Sequence, residues 1–257
     1  MAGNSFFILG SSSGLPQAER ATSGYLLKTG TSLSLVDCGG GVVSSFLRRR
    51  LNPNDVDRVF ISHTHSDHVC ELSLFIQLFH VNKREKPLEL YLPEEFIEPF
   101  KNWLNAVYMF PDKEQYKITF HPVTDKFEFK SDLFNLSAHQ NTHLVKTKAI
   151  IEELKLPNKM QCFSYKFDVE GKKLLYSADI GSLDDIKPLV DGSGFVVVES
   201  THIDLDDFIA YAKEQSATNF ILTHLGTDEE IAALTEKTKA ASLTNIQFAM
   251  DGMEVGL

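Results

Sequence analysis

The sequence predicts an α/β protein of sheets covered by helices, and three observations predict it. Short apolar runs of strand length alternate with amphipathic helical patterns along almost the whole chain. Hydrophobic residues make up 43% of the 257 positions, enough to bury a sizeable core as one large domain or as two halves sharing a core. No low-complexity linker and no clear boundary interrupts the pattern, which predicts a single domain over 1–257 built from two αβ halves.

The elements follow in order. Phe6–Leu9, Tyr25–Leu27 and Leu33–Asp37 read as strands separated by Gly- and Ser-rich turns. Val42, Val43, Phe46, Leu47 and Leu51 fall on one helical face, and the Asn52-Pro53 turn ends that helix. Val56–Ile61 is a short strand, and Glu71–His80 is a helix with Leu72, Phe75, Ile76 and Phe79 inward. Leu88–Leu92 is a strand and 94–109 a helix carrying Phe96, Phe100, Trp103, Leu104 and Val107. Strands are then expected at 118–120, 127–129, 133–136, 163–167 and 174–176, with a hairpin turn at Glu170-Gly171. The last part alternates strand 195–200, helix 204–215, strand 220–223 and helix 228–241.

Composition narrows the function classes. A formal charge of −10 works against generic attraction to polyphosphate and so argues against long nucleic acid as a partner. Arg48-Arg49-Arg50 and Lys83-Arg84 are the exceptions, read as solvated helix ends. No apolar run is long enough to cross a bilayer, so no membrane association is expected, and the Met1-Ala2-Gly3-Asn4 start lacks the basic stretch and apolar core of a secretory signal; a cytoplasmic location is the expectation. Cys38, Cys70 and Cys162 have no paired spacing and read as reduced core thiols.

The chemistry concentrates in Ser62-His63-Thr64-His65-Ser66-Asp67-His68, three imidazoles and a carboxylate directly after an apolar strand. Imidazole and carboxylate are ligands of zinc and its first-row neighbours, and a tight turn can aim alternate side chains at one centre and their neighbours at a second. Such a cluster needs partners from other strand ends. His143 closes the run from Leu136, with His139 as its rival; Asp179 follows Leu174–Ala178; His224 follows Phe220–Thr223.

This ordering, H-x-H-x-D-H, then a histidine, then an aspartate after an apolar strand, then a strand-end histidine, resembles the metallo-β-lactamase superfamily over nearly the whole chain. Leu9–Arg20, Leu35–Gly41 and Leu51–Asp57 are similar to the opening of its ribonuclease Z branch. The resemblance implies a four-layer αββα sandwich, with His63, His65 and His143 on one metal, Asp67, His68 and His224 on a second, and Asp179 bridging. Two zinc ions are expected, and manganese or iron suits the same donors. Asp37 either orients the cluster loop through hydrogen bonds or caps its turn.

The departures are specific. His143 and Asp179 stand too close in sequence to enclose the long basic arm of the enzymes that mature transfer RNA. The branch's His-Glu-Ala-Thr motif is Val198-Glu199-Ser200-Thr201 here. His202 beside it is either a general acid supported by Glu199 or a surface histidine capping the 204–215 helix.

Two metals lower the pKa of a shared water and neutralise charge at phosphorus or carbonyl carbon, with Asp67 and Asp179 holding the hydroxide between them. The expected activity is a metal-dependent phosphodiesterase acting on a small or short phosphodiester, such as a cyclic nucleotide or short oligonucleotide. Hydrolysis of a carboxylic ester, thioester or lactone is the alternative on the same fold, and a catalytically inactive ligand-binding domain the alternative of another class. Apolar faces such as that of 94–109 suit either a substrate entrance or a homodimer contact.

Overall fold

Most of the strand-length apolar runs form strands, and they assemble into two seven-stranded sheets, one in each of two units. The computed structural model describes residues 3–257. Unit 1 holds the chain up to Gly10, Ala18–Thr124 and Met250–Leu257; unit 2 holds Ser11–Gln17 and Asp125–Ala249.

In unit 1 the strands are β1 (Ser5–Gly10), β2 (Gly24–Thr29), β3 (Ser32–Cys38), β4 (Val56–Phe60), β5 (Leu88–Pro93) and β6 (Ile118–Val123). The C-terminal strand Glu254–Gly256 (β14) pairs with β1 at one edge. The run from β14 to β3 is antiparallel and the run from β3 to β6 is parallel. The parallel crossovers carry α1 (Val42–Arg48), α2 (Ser66–Val69), α3 (Leu72–Val81) and α4 (Ile97–Ala106). Phe46, Phe75 and Phe79 project from α1 and α3 onto Leu35, Val59 and Leu90 of the sheet. Phe75 meets its two neighbours edge-on at 5.1 and 4.9 Å, and each such ring contributes about 2 to 3 kcal/mol by leaving water.

Unit 2 follows the same plan. Strands β7 (Glu128–Lys130), β8 (Asn135–Gln140), β9 (Phe163–Val169) and β10 (Lys172–Tyr176) are antiparallel, and β11 (Phe195–Glu199), β12 (Asn219–Thr223) and β13 (Ile246–Phe248) continue in parallel from β10. Glu170 and Gly171 turn β9 into β10 with φ of 54° and 86°, the left-handed pair of a tight hairpin. Helices α5 (Lys148–Leu154), α6 (Lys187–Val190), α7 (Leu205–Glu214) and α8 (Asp228–Ala240) complete the unit. Phe208 of α7 packs edge-on against Phe220 of β12 at 5.4 Å over a core of Val196, Val198 and Leu222.

Several expectations need correction. The helix expected over 94–109 is a 3₁₀ turn at Glu94–Phe96 followed by α4, which stops at Ala106. Tyr108 takes the left-handed region (φ 62°), while the Met109 and Tyr108 N–H groups donate to the carbonyls of Leu104 and Asn105. That closure satisfies the last carbonyls and turns the chain. Likewise α1 ends at Arg48 rather than running to Leu51, with Arg50 left-handed at φ 56°.

Of the basic residues read as solvated, one is buried and one is half-buried. Arg84 is fully buried: α3 ends in the same closure, Lys83 left-handed and the Arg84 N–H donating to Phe79 O, which sets the guanidinium over the Phe79 ring at 4.8 Å and against the carbonyls of Lys86 and Pro87. Arg49 lies over the Phe7 ring at 4.5 Å. Among the cysteines, Cys38 and Cys162 are buried but Cys70 is exposed, because it caps the short α2 rather than facing the sheet. The elements α2, α5, α6, β13 and β14 were not expected; they are short, and α5 has no buried residue. No helix among the described residues is long and apolar enough to cross a membrane.

Candidate metal centre

In both units the chemistry sits at strand ends: those of the parallel-paired β3, β4, β10, β11 and β12, where α/β sheets present ligand-binding loops, and that of the antiparallel β8. β4 runs through Ile61 and Ser62 into the histidine cluster, with His63 and His68 fully buried and His65 exposed. His63 and His65 offer ligand atoms within 4.8 Å of each other, and Asp67 Oδ2 lies 3.4 Å from His68 Nε2. Gly39 makes the turn possible: a Cβ there would collide with the Asp67 carbonyl and the Thr22 hydroxyl.

Asp37, buried at the end of β3 with a left-handed φ of 57°, organises this loop. Its Oδ1 accepts from the Ser62 N–H at 2.8 Å, and its Oδ2 accepts from the Ser62 hydroxyl and from His68 Nδ1, each at 2.8 Å. With the Ser62 proton given to Asp37, His63 Nδ1–H donates to Ser62 Oγ at 3.1 Å. Both rings then carry their proton on Nδ1 and turn an unprotonated Nε2 outward, the tautomer that binds metal.

Unit 2 supplies three more donors. β8 leads through Asn141 to His143, β10 through Ser177 and the left-handed Ala178 (φ 51°) to Asp179, and β12 to His224, itself left-handed at φ 53°. Asp179 Oδ2 lies 3.6 Å from His143 Nε2, and Asp179 Oδ1 lies 3.4 Å from His224 Nε2. These separations exceed a hydrogen bond and match the roughly 3.3 Å edge between donors each about 2.0 to 2.1 Å from one tetrahedral ion. The two oxygens of a single carboxylate thus face two different imidazoles. Asn141 locks the pair, its amide donating to Asp179 O at 2.9 Å and its Oδ1 accepting from the His143 N–H at 3.1 Å. The residues fit a divalent ion: imidazoles and carboxylates, most of them buried, with the Nδ1 atoms of His63, His68 and His224 already hydrogen-bonded.

Glu199 ends β11 fully buried and accepts from the Thr201 and His202 N–H groups at 2.7 and 2.9 Å. Thr201 Oγ1 sits 3.1 Å from Glu199 Oε2 and 2.8 Å from His224 Nδ1. The hydroxyl donates a hydrogen bond to the carboxylate and accepts one from the imidazole Nδ1–H, fixing the His224 tautomer as Asp37 fixes that of His68. His202 Nδ1 lies 3.1 Å from Glu199 Oε1, which raises its pKa above the usual imidazole value. Its ring packs on those of His143 (4.7 Å between centroids) and His224 (5.9 Å). The alternative of His202 as a helix cap is corrected, since Asp204 caps α7 by accepting from the N–H groups of Asp206 and Asp207.

His139 lies apart from Asp179. It faces Ser137 Oγ at 2.9 Å, and burial together with the Lys166 charge pulls its pKa down. The sequence gives no separate signal for Thr201, Ser62 and Asn141; each is a polar residue next to a candidate ligand, and its role shows only in the hydrogen bonds it makes.

Residues 4–198 match the family model described as Anti-Pycsar protein Apyc1. The chain is similar to ribonuclease Z of Pyrococcus abyssi, 32% identical over 128 residues covering 50% of this chain and 41% of that protein. It is also similar to ribonuclease Z of Methanocaldococcus jannaschii, 27% identical over 239 residues covering 87% and 74%. The chain spans less than two thirds of the length of the first curated relatives it matches. The metallo-β-lactamase fold protein YhfI from Bacillus subtilis superposes with a TM-score of 0.77 at 22% identity, covering 98% of this chain and 99% of that one. With two mixed sheets carrying helices and these relatives, the chain belongs to the Anti-Pycsar protein Apyc1 family, an α/β sandwich of the metallo-β-lactamase fold on its ribonuclease Z-like side.

Proposed function

We propose that the chain is a dinuclear metal-dependent phosphodiesterase acting on a small or short phosphodiester, of the size of a cyclic nucleotide or a short oligonucleotide. His63, His65 and His143 hold one metal, Asp67, His68 and His224 the second, and Asp179 bridges. The observation that carries the reading is the Asp179 carboxylate, whose two oxygens each face a different imidazole at 3.6 and 3.4 Å. The imidazole-rich donor set suits zinc. Bound dications supply a nucleophile from water near neutral pH and neutralise charge on phosphoryl oxygens.

The chain's own residues do the rest. Asp67 and Asp179 balance the dication charge and keep the donors in place. His202, held by Glu199, stands beside His143 and gives a proton to the oxygen that leaves phosphorus as water's oxygen joins it. A formal charge of −10 favours a small substrate over a long polyanion.

The test is metal content by inductively coupled plasma mass spectrometry, together with turnover of bis-p-nitrophenyl phosphate beside ester and lactone substrates. Two metal ions per chain and phosphodiester turnover, both lost in Asp179→Asn, are expected. Turnover of esters or lactones alone would overturn the phosphodiester assignment.

A further inference from the structure

Beside His143 and His202, unit 2 opens into a pocket of about 400 Å³ whose lining also includes Val145, Lys146, Ile180 and Gly181. No carboxylate lines it, in a chain with ten more acidic than basic residues. Its one ammonium is that of Lys146. His143 and Lys146 lie on the 3₁₀ helix His143–Thr147, and with three residues per turn such a helix sets side chains i and i+3 on the same edge. The ammonium is thereby placed on the side of the helix that carries His143. Lys146 is exposed and forms no ion pair among the described residues.

The pocket wall is built rigidly. Asp185 Oδ2 accepts from the Thr142 N–H (3.2 Å), the Thr142 hydroxyl (2.9 Å) and the Gly181 N–H (2.8 Å). This carboxylate clasps the turn bearing His143 to the loop bearing Asp179, and its charge is consumed by those donors.

Resting on the phosphodiesterase reading, we infer that Lys146 is the specificity-determining cation of this site: it engages a non-bridging oxygen of the phosphodiester, and the pocket between Val145 and Ile180 receives the organic group on that phosphate. An ammonium on a flexible stem serves as a point charge for phosphoryl oxygen. A neutral ester or lactone gains nothing from it, so the site selects anionic phosphodiesters.

The experiment compares wild type, Lys146→Met and Lys146→Arg, all zinc-loaded. Turnover of bis-p-nitrophenyl phosphate gives kcat and KM separately, and isothermal titration with inorganic phosphate gives binding without turnover. Loss of one charge-assisted contact predicts a KM about 10- to 100-fold higher in Lys146→Met, phosphate affinity lower by a similar factor, a much smaller change in kcat, and substantial recovery in Lys146→Arg. An active wild type with Lys146→Met unchanged in both KM and phosphate affinity overturns the inference alone. So does a variant that loses kcat and metal with KM intact, the mark of a structural role. A wild type that turns over no phosphodiester overturns the underlying reading and this inference with it.

Discussion

Asp37 and Thr201 do the same work in different units, and each can be removed without touching a metal donor. Asp37 holds His68 Nδ1 and both polar groups of Ser62; Thr201 joins His224 Nδ1 to Glu199. Loss of such partners typically weakens metal binding about 10- to 100-fold. Asp37→Asn, which tolerates the left-handed backbone, should lose metal affinity within that range, whereas Asp37→Ala should also lose stability because its φ of 57° disfavours alanine. Thr201→Val, nearly isosteric, should weaken binding by about tenfold without unfolding the protein. Competition against a chromophoric zinc chelator measures both, and unchanged affinity in Thr201→Val would show that His224 needs no such tether. At this scale the candidates were legible from sequence: the H-x-H-x-D-H spacing and three strand-end residues named the seven proposed donors, because strand ends are encoded locally by apolar runs. Thr201, Ser62 and Asn141 were not legible, since their roles depend on hydrogen bonds formed only after distant strands align.

The loops at the strand ends depend on close backbone approach, and Gly181 shows it most clearly. A Cβ on Gly181 would strike the Thr142 hydroxyl and backbone, the partners that Asp185 clasps to it. Gly181→Ala must push the 141–143 turn away from the 179–182 loop, and overpacking of this kind costs about 1 to 3 kcal/mol. Urea unfolding should read that loss as a lower midpoint with an unchanged m-value, and metal affinity should fall with it because His143 and Asp179 ride on the two displaced segments. Full stability in Gly181→Ala would mean the clasp yields freely. Helix ends were the elements least legible in sequence. The apolar stripe of 94–109 continues past Ala106, but the left-handed Tyr108 and the buried Met109 stop the helix there. Lys83-Arg84 reads as a solvated end, yet the same closure carries Arg84 inward onto Phe79. Periodicity registers which face is apolar, not where the last carbonyls find donors.

Across the whole molecule, the proposed ligand set is His63, His65, Asp67, His68, His143, Asp179 and His224. The α/β class was readable from alternating patterns; that each unit repeats an antiparallel run followed by a parallel one was not, because strand pairing is non-local. Metal that binds only the native chain stabilises it by mass action, about 4 kcal/mol per site when free metal stands a thousandfold above its Kd. Thermal unfolding followed by circular dichroism should therefore shift down on chelation and return with added zinc. The gap between the zinc-loaded and chelated curves should also narrow in acid. Imidazole must be neutral to bind, so protons compete with metal as the solution is acidified, in the same direction for all five proposed histidine donors. A melting temperature indifferent to chelator at pH 8 would show that these seven side chains hold no metal in the folded chain, and the proposed hydrolysis would fall with it.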